Sequence, residues 1–370
     1  MKHQISDVIL TEIKGLWGDE PMAGDSVTPV IKTNNMTYEG YINYSDLTMR
    51  HIEKSKLEKG YLLKGDLLIE KSGGTKYHSV GYVNFFDGEN DKYVCNNFVL
   101  ALRPNATIIR PKYLFHQLKY KYESGKFADC YNKTTGIQNL QIKTYLSKGV
   151  LIPSFGEQDR VIKTLDDITT NIHVKQNQLN ELDCLVKSRF MEMFGDPISN
   201  SKQWPTEPLS ECCQMNGIKK YPKQDKYWIL NLDRIESGTG AVLAKDYASI
   251  DMVGNSTFFF DESYVLYSKL RPYLNKVALP DEPGFATTEL VPLKPASYIN
   301  RTFLATLLRT ESFVAWIDST SSGAKMPRAS MDSLRGFKAI IPPITLQNDF
   351  ANFVNLIDKS RFVCHSRNFL

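Results

Sequence analysis

No stretch of this sequence approaches the roughly 20 consecutive apolar residues that a bilayer crossing takes, and the opening Met1-Lys2-His3-Gln4-Ile5-Ser6-Asp7 lacks the apolar segment of a signal peptide. A membrane-spanning or exported chain is therefore excluded from expectation, and a cytoplasmic one is expected. Cysteine is scarce. Cys95, Cys130, Cys184, Cys212, Cys213 and Cys364 include no CxxC pair and no zinc-like spacing, so reduced, mostly buried thiols are expected. His3, His51, His78, His116, His173 and His365 are equally scattered, and no metal site is expected. There is no Gly-x-x-x-x-Gly-Lys phosphate loop, and Pro342-Pro343 lacks the preceding Asn or Asp and the following aromatic of an adenine methyltransferase. Gly15-Leu16-Trp17-Gly18 and Gly73-Gly74 are too isolated for a cofactor loop. These absences argue against an enzyme. Neither sign of charge dominates: 45 Lys and Arg against 41 Asp and Glu give +4, which is compatible with a nucleic-acid partner without demanding one.

What is present describes a globular chain: 370 residues, 42% hydrophobic and 23% charged, are enough for two cores. The second half repeats landmarks of the first in the same order, at a shift of about 190 residues, far too long for a solenoid repeat. Pro104 after Phe98-Val99-Leu100-Ala101-Leu102 matches Pro295 after Leu290-Val291-Pro292-Leu293, and Thr134-Thr135-Gly136 matches Ser321-Ser322-Gly323. Val150-Leu151-Ile152-Pro153 matches Ala339-Ile340-Ile341-Pro342, and Gln158 matches Gln347. The pattern implies two copies of one domain plus a linking element. Within each copy, β-branched and aromatic runs come first: 62–70, 77–84 and 93–102, then 227–232, 258–260, 264–267 and 285–293. Helical spacing follows over 111–130 and 300–318.

From Glu157 to Met193 the apolar residues Leu165, Ile168, Ile172, Leu179, Leu182, Val186 and Met193 form a heptad stripe, stopped by Gly195-Asp196-Pro197. This predicts one helix, at 1.5 Å per residue a rod of about 55 Å. Such a stripe needs a partner helix, and the segment from Thr345 onward offers Phe350, Phe353, Val354 and Ile357. A homodimeric coiled coil is the competing explanation of the stripe.

The run from Leu179 to Pro197, ending Ser188-Arg189-Phe190-Met191-Glu192-Met193-Phe194-Gly195-Asp196-Pro197, closely resembles the end of the central helix in specificity subunits of type I restriction-modification systems. So do the segment Tyr264 to Val277, Gly323-Ala324-Lys325-Met326-Pro327-Arg328, and the two junctions Leu151-Ile152-Pro153 and Ile341-Pro342-Pro343, each followed by a Gln and a helix. The resemblance spans essentially the whole chain. It implies an α+β fold of two similar mixed α/β target recognition domains, 1–153 and 196–343, separated by long helices, 154–195 and a short 344–370, that pair as an antiparallel coiled coil. It further implies a non-catalytic subunit that reads a bipartite site on double-stranded DNA, one half per domain, with two methyltransferase subunits docked on the helices and, in the nuclease form, motor-nuclease subunits. No cofactor is expected on this chain; S-adenosylmethionine, ATP and Mg are expected in the partner subunits. Family members usually carry a full second helix, whereas this chain stops at Leu370. A truncated or recombined reading frame would explain that, and so would a partner chain that completes the helix.

Reading DNA takes phosphate grips that set register and a few side chains that reach base edges. In the first domain Lys71, Ser72, Gly73, Thr75, Lys76 and Tyr77 place glycines between lysines, a phosphate approach or a plain solvated turn. In the second, Lys269, Arg271, Tyr273, Asn275 and Lys276 follow an apolar strand, and Arg and Asn are the types that pair bidentately with guanine and adenine. Lys133, Thr134 and Thr135 recur in kind as Ser321, Ser322 and Lys325, with Arg328 nearby; phosphate binding and helix capping compete for them. Lys219 and Lys220 are a smaller candidate pair. The expected helix-pairing set is Leu165, Ile168, Ile172, Leu179, Leu182, Val186, Phe350, Val354 and Ile357. Two alternatives stand beside this reading: an adaptor scaffold that binds no DNA, and a nuclease of dispersed carboxylates and a lysine.

Overall fold

Unbroken apolar runs such as Leu67-Leu68-Ile69 and Val99-Leu100-Ala101-Leu102 make strands covered on both faces, and such strands form the centre of each sheet. The computed structural model describes residues 3–75, 78–134, 137–323 and 325–366. The chain divides into two compact units, Met1–Ile172 and His173–Leu370.

In the first unit an antiparallel sheet runs in the order Ile9–Lys14, Val99–Pro104, Leu67–Glu70, Val83–Phe85. Leu67, Ile69, Leu100 and Leu102 pack on Leu114, Phe115 and Leu118 of the helix Pro111–Glu123. The alternate residues Leu68, Val99 and Ala101 pack the other way, against Ile31, Leu62, Phe86 and Cys95. A second sheet, Thr48–Arg50, Thr28–Ile31, Val94–Cys95, joins its strands first antiparallel and then parallel. His3–Gln4 pairs with Gly149–Val150 beside them.

The second unit repeats this plan. Its antiparallel sheet runs Cys213–Gln214, Leu290–Pro295, Val265–Ser268, Val277–Ala278. Its second sheet, Asp246–Ala248, Tyr227–Leu230, Gly284–Thr287, Thr257–Phe260, keeps the antiparallel-then-parallel joint and adds one strand. Thr206–Pro208 pairs with Lys338–Ile340 where the first unit has its terminal pair. Phe303, Leu304 and Leu307 of the helix Arg301–Arg309 cover Val265, Tyr267, Val291 and Leu293. One topology thus occurs twice, as the repeated landmarks led us to expect.

The two matched glutamines have a structural cause. Buried Gln158 accepts the N–H of Arg110 on Oε1 at 2.7 Å and donates from Nε2 to the Pro153 carbonyl at 2.9 Å. Buried Gln347 accepts the N–H of Asn300 at 2.8 Å and donates to the Pro342 carbonyl at 2.7 Å. Arg110 and Asn300 are the N-cap residues of the helices Pro111–Glu123 and Arg301–Arg309. Each amide therefore ties the domain's own helix to the helix that leaves the domain.

Two helix expectations are corrected. The stretch 111–130 is helical only to Glu123, because Ser124 caps it and Gly125 turns the backbone into the left-handed region at φ 71°. The stretch 300–318 is two helices, Arg301–Arg309 and Glu311–Ser319. Thr310 breaks them: its backbone is extended, its hydroxyl donates to the Leu307 carbonyl at 2.8 Å and accepts from the Phe313 N–H at 3.3 Å.

The central helix is continuous over 40 residues, Phe155–Phe194. Ser154 and Glu157 start it with a reciprocal cap, the Glu157 carboxylate accepting the Ser154 N–H and hydroxyl at 3.0 and 2.8 Å. Gly195, at φ 75°, ends it. The terminal helix Ile344–Ser366 runs antiparallel to its end: Phe350 meets Phe190 and Phe194 edge-on at 5.5 Å each, and further along Arg361 pairs with Asp183. Phe350, Val354 and Ile357 are buried, as pairing requires, and Leu179, Leu182 and Val186 are half-buried. Ile168 and Ile172 are 50% and 61% exposed, and Leu165 is half-buried. Phe190 and Phe194, the rings that Phe350 meets, were not in the expected pairing set. Among the described residues no helix is long and apolar enough to cross a membrane. Cys95, Cys130, Cys212 and Cys213 are buried free thiols and Cys184 is an exposed one.

Candidate nucleic-acid interface

In the first unit the fold joins two segments that the sequence proposes separately. Ser72–Gly73 is the third strand of a small sheet whose other strands, Tyr131–Thr134 and Ile137–Leu140, form a hairpin. The Ser72 hydroxyl donates to Asn139 Oδ1 at 2.7 Å, and the Lys71 carbonyl takes the Leu140 N–H at 2.8 Å. The segment after Lys71 is thus held by a sheet, so the plain solvated turn is set aside for residues 71–73. Gly73 and Gly74 are needed for their backbone: φ is 132° and 71°, values that side-chain-bearing residues rarely adopt. The Gly74 N–H donates to the buried Glu70 carboxylate at 3.2 Å. Burial pushes the Glu70 carboxyl above its ordinary range, and the Gly74 bond offsets part of the rise. Thr75 closes a tight turn, its hydroxyl accepting the His78 N–H at 3.0 Å. Lys133 and Thr134 lie on the hairpin's first strand; Lys76, Tyr77 and Thr135 lie outside the described residues.

The same place holds an aromatic pair that sequence reading missed. Tyr38 stacks on His78 with ring centroids 3.7 Å apart and planes 18° from parallel, and Tyr82 lies beside Tyr38 at 4.8 Å. Tyr38 and His78 are both exposed, as a ring must be to meet a base or sugar. Forty residues separate them in sequence, and no spacing signal links them.

In the second unit Lys269, Arg271, Ser322 and Arg328 come together through the backbone. Leu270 and Ser322 each bridge to Arg328, the Arg271 N–H donates to the Pro327 carbonyl at 2.7 Å, and the Ala329 N–H to Lys269 at 2.8 Å. Arg328 is exposed and its guanidinium pairs with Glu289 at 3.1 Å. Lys325, Ser322 and Tyr273 are exposed on this surface, while Arg271 is half-buried with a backbone in the left-handed region, φ 50°. Two candidates also bond to the scaffold. Asn275 also has φ 50° and donates its side-chain amide to the Arg309 carbonyl at 2.9 Å; Lys276 donates Nζ to the Leu232 carbonyl at 2.7 Å. Each group keeps further N–H donors beyond these bonds. The Ser321 hydroxyl likewise donates to the Ile317 carbonyl, 3.2 Å away, finishing the helix Glu311–Ser319. Lys219 and Lys220 are exposed, and Lys223 and Lys226, which the sequence reading passed over, stand exposed beside them.

Tandem domains of one topology, each with polar and basic loops and each tied to a long helix by a buried glutamine, make one module in duplicate. Residues 19–183 match the family described as Type I restriction modification DNA specificity domain. The chain is 23% identical over 341 residues to the type I restriction enzyme EcoDI specificity subunit of Escherichia coli, covering 72% of this chain and 75% of that one. Its fold is shared with the type I restriction-modification S subunit from M. genitalium, 16% identical, TM-score 0.54, over 99% of this chain and 91% of that one. It is shared too with a chain from a study of complex assembly and conformational transition of the type I R-M system, 12% identical, TM-score 0.52, over 99% and 93%.

Proposed function

We propose that this chain reads a bipartite site on double-stranded DNA, one half with each domain, and carries no catalysis of its own. Residues 1–153 and 196–343 act as the recognition domains, and helices 154–195 and 344–370 as the spacer on which two methyltransferase subunits dock. Motor-nuclease subunits join in the nuclease form. S-adenosylmethionine, ATP and Mg belong to those partners. The observation that carries the reading is the duplicated topology, with each copy fixed to its helix by the same buried glutamine bonds. A rigid mount of this kind suits a reader whose half-sites must keep a constant separation.

The test is domain exchange. With residues 1–153 replaced by those of another specificity subunit and methylated adenines mapped across the host genome, one half of the methylated site changes and the other half and the spacing stay. A site that changes in both halves, or in neither, overturns the modular reading. A purified complex without DNA affinity even at low salt makes the chain an adaptor.

A further inference from the structure

The two copies differ in charge where the chain enters the antiparallel-then-parallel sheet. In the first unit residues 15–27 lead from the strand Ile9–Lys14 to the strand Thr28–Ile31. In the second, residues 215–226 lead from Cys213–Gln214 to Tyr227–Leu230, the same position in the plan. The first connection has no lysine or arginine and carries Asp19, Glu20 and Asp25. Two of its acids are engaged within the unit: Glu20 pairs with Arg50 at 3.4 Å, and Asp25 accepts the Met22 N–H at 2.8 Å. The second carries Lys219, Lys220, Lys223 and Lys226 against the single Asp225. All four lysines are exposed, and among the described residues none takes an ion-pair partner. A scaffold requirement would have given the two connections like charge. They have opposite charge.

The basic connection is also braced. The Ile218 N–H donates to the Phe259 carbonyl at 2.8 Å, and the Tyr221 ring stacks on Phe259 at 5.0 Å. The Tyr227 hydroxyl donates to the Pro222 carbonyl at 2.8 Å and accepts the Gln224 N–H at 3.0 Å. Four like charges held on a fixed backbone repel one another, and an anion relieves that repulsion without further ordering of the chain. Steps of three residues span at most about 10 Å, so the ammonium groups can meet several phosphates of one strand, which follow at about 3.4 Å of rise each.

We propose that residues 219–226 are a phosphate-gripping arm for duplex DNA that the second recognition domain has and the first lacks, so that the two half-sites are held with unequal electrostatic contributions. The arm contacts backbone and reads no bases. This rests on the DNA-reading function proposed above.

The test uses the full-length chain and a fluorescein-labelled duplex of arbitrary sequence, about 30 base pairs long, with affinity followed by anisotropy between about 50 and 200 mM salt. The variant K219Q/K220Q/K223Q/K226Q is compared with K54Q/K56Q/K59Q/K64Q, which removes the same charge from exposed lysines of the first unit. The arm variant is expected to bind about 10- to 100-fold more weakly at about 0.1 M salt, with the slope of log affinity against log salt reduced by about 3, and the control to change the slope by less than about 1. An unchanged slope in the arm variant, or an equal change in both, overturns the arm while leaving the DNA reading intact. A wild-type chain that binds no duplex at low salt overturns the DNA reading and the arm with it.

Discussion

Gln347 accepts the backbone N–H of Asn300 at 2.8 Å while its own amide donates to the carbonyls of Pro342 at 2.7 Å and Tyr298 at 3.2 Å. One fully buried side chain thus satisfies three backbone groups from two segments. Gln347→Leu leaves all three without partners, and with each buried orphan costing about 1–3 kcal/mol the second unit is expected to lose about 3 kcal/mol or more. Gln347→Glu should cost less at low pH, where a protonated carboxyl can still donate to Pro342, than at neutral pH. Urea unfolding followed by fluorescence reads both. A Leu variant within about 0.5 kcal/mol of wild type refutes the clamp. Gln158→Leu makes the same prediction for the first unit, where the N–H of Arg110 and the carbonyl of Pro153 lose their partner.

The clamp also marks how far the sequence could be read. The Gln158/Gln347 and Pro153/Pro342 matches were legible because a buried hydrogen-bond pair fixes both residue type and spacing in each copy. The long helix was legible because its stripe and its glycine-proline stop agree. The strands Ile9–Lys14, Thr28–Ile31 and Thr48–Arg50 were not seen: only Ile13 is buried in the first of them, and the parallel partner of Thr28–Ile31 lies more than 60 residues away at Val94–Cys95. The break at Thr310 was hidden because the apolar period of Phe303, Leu304, Leu307, Leu308 and Phe313 continues across it. Side-chain tasks were least legible. Asn275 and Lys276 carry the residue types of a DNA contact, and the bonds that they give to the carbonyls of Arg309 and Leu232 depend on packing that their neighbours in sequence do not reveal.

Phe350 is fully buried and touches Phe190 and Phe194 edge-on, with Val354 following one turn later on the same face. Phe350→Ala is expected to destabilise the second unit by about 3–5 kcal/mol, because neighbouring rings cannot close the space that a removed phenyl leaves. Thermal unfolding of the full chain checks it. A loss under about 1 kcal/mol means the terminal helix is not seated on the central one.

Burial raises the Glu70 carboxyl, so the folded state keeps this proton to a higher pH than the unfolded chain does. The sign follows: Glu70 costs no stability below the ordinary glutamate range, and its burial becomes unfavourable as the pH rises through the raised folded value. Glu70→Gln keeps an acceptor for the Gly74 N–H and removes the titration. It is expected to raise the melting temperature by about 2 °C at pH 8, with the advantage disappearing near pH 4. Melting temperatures of wild type and variant across that range decide it, and a difference independent of pH refutes the assignment.

Ile168 and Ile172 stand 50% and 61% exposed on the central helix, one turn apart. Residues at such positions contribute little to the fold of the chain that carries them, so I168E/I172E is expected to leave its unfolding free energy unchanged to within about 0.5 kcal/mol. A methyltransferase subunit that docks on the helix would cover these side chains, and burying two carboxylates in that contact costs several kcal/mol each. Co-purification with the methyltransferase subunits should therefore be lost at unchanged fold stability. Ile168→Ala with Ile172→Ala, which trims area without adding charge, should weaken the complex only partly. A complex that survives the double glutamate variant intact places the docking surface elsewhere on the chain, and the stripe then serves only the helix itself.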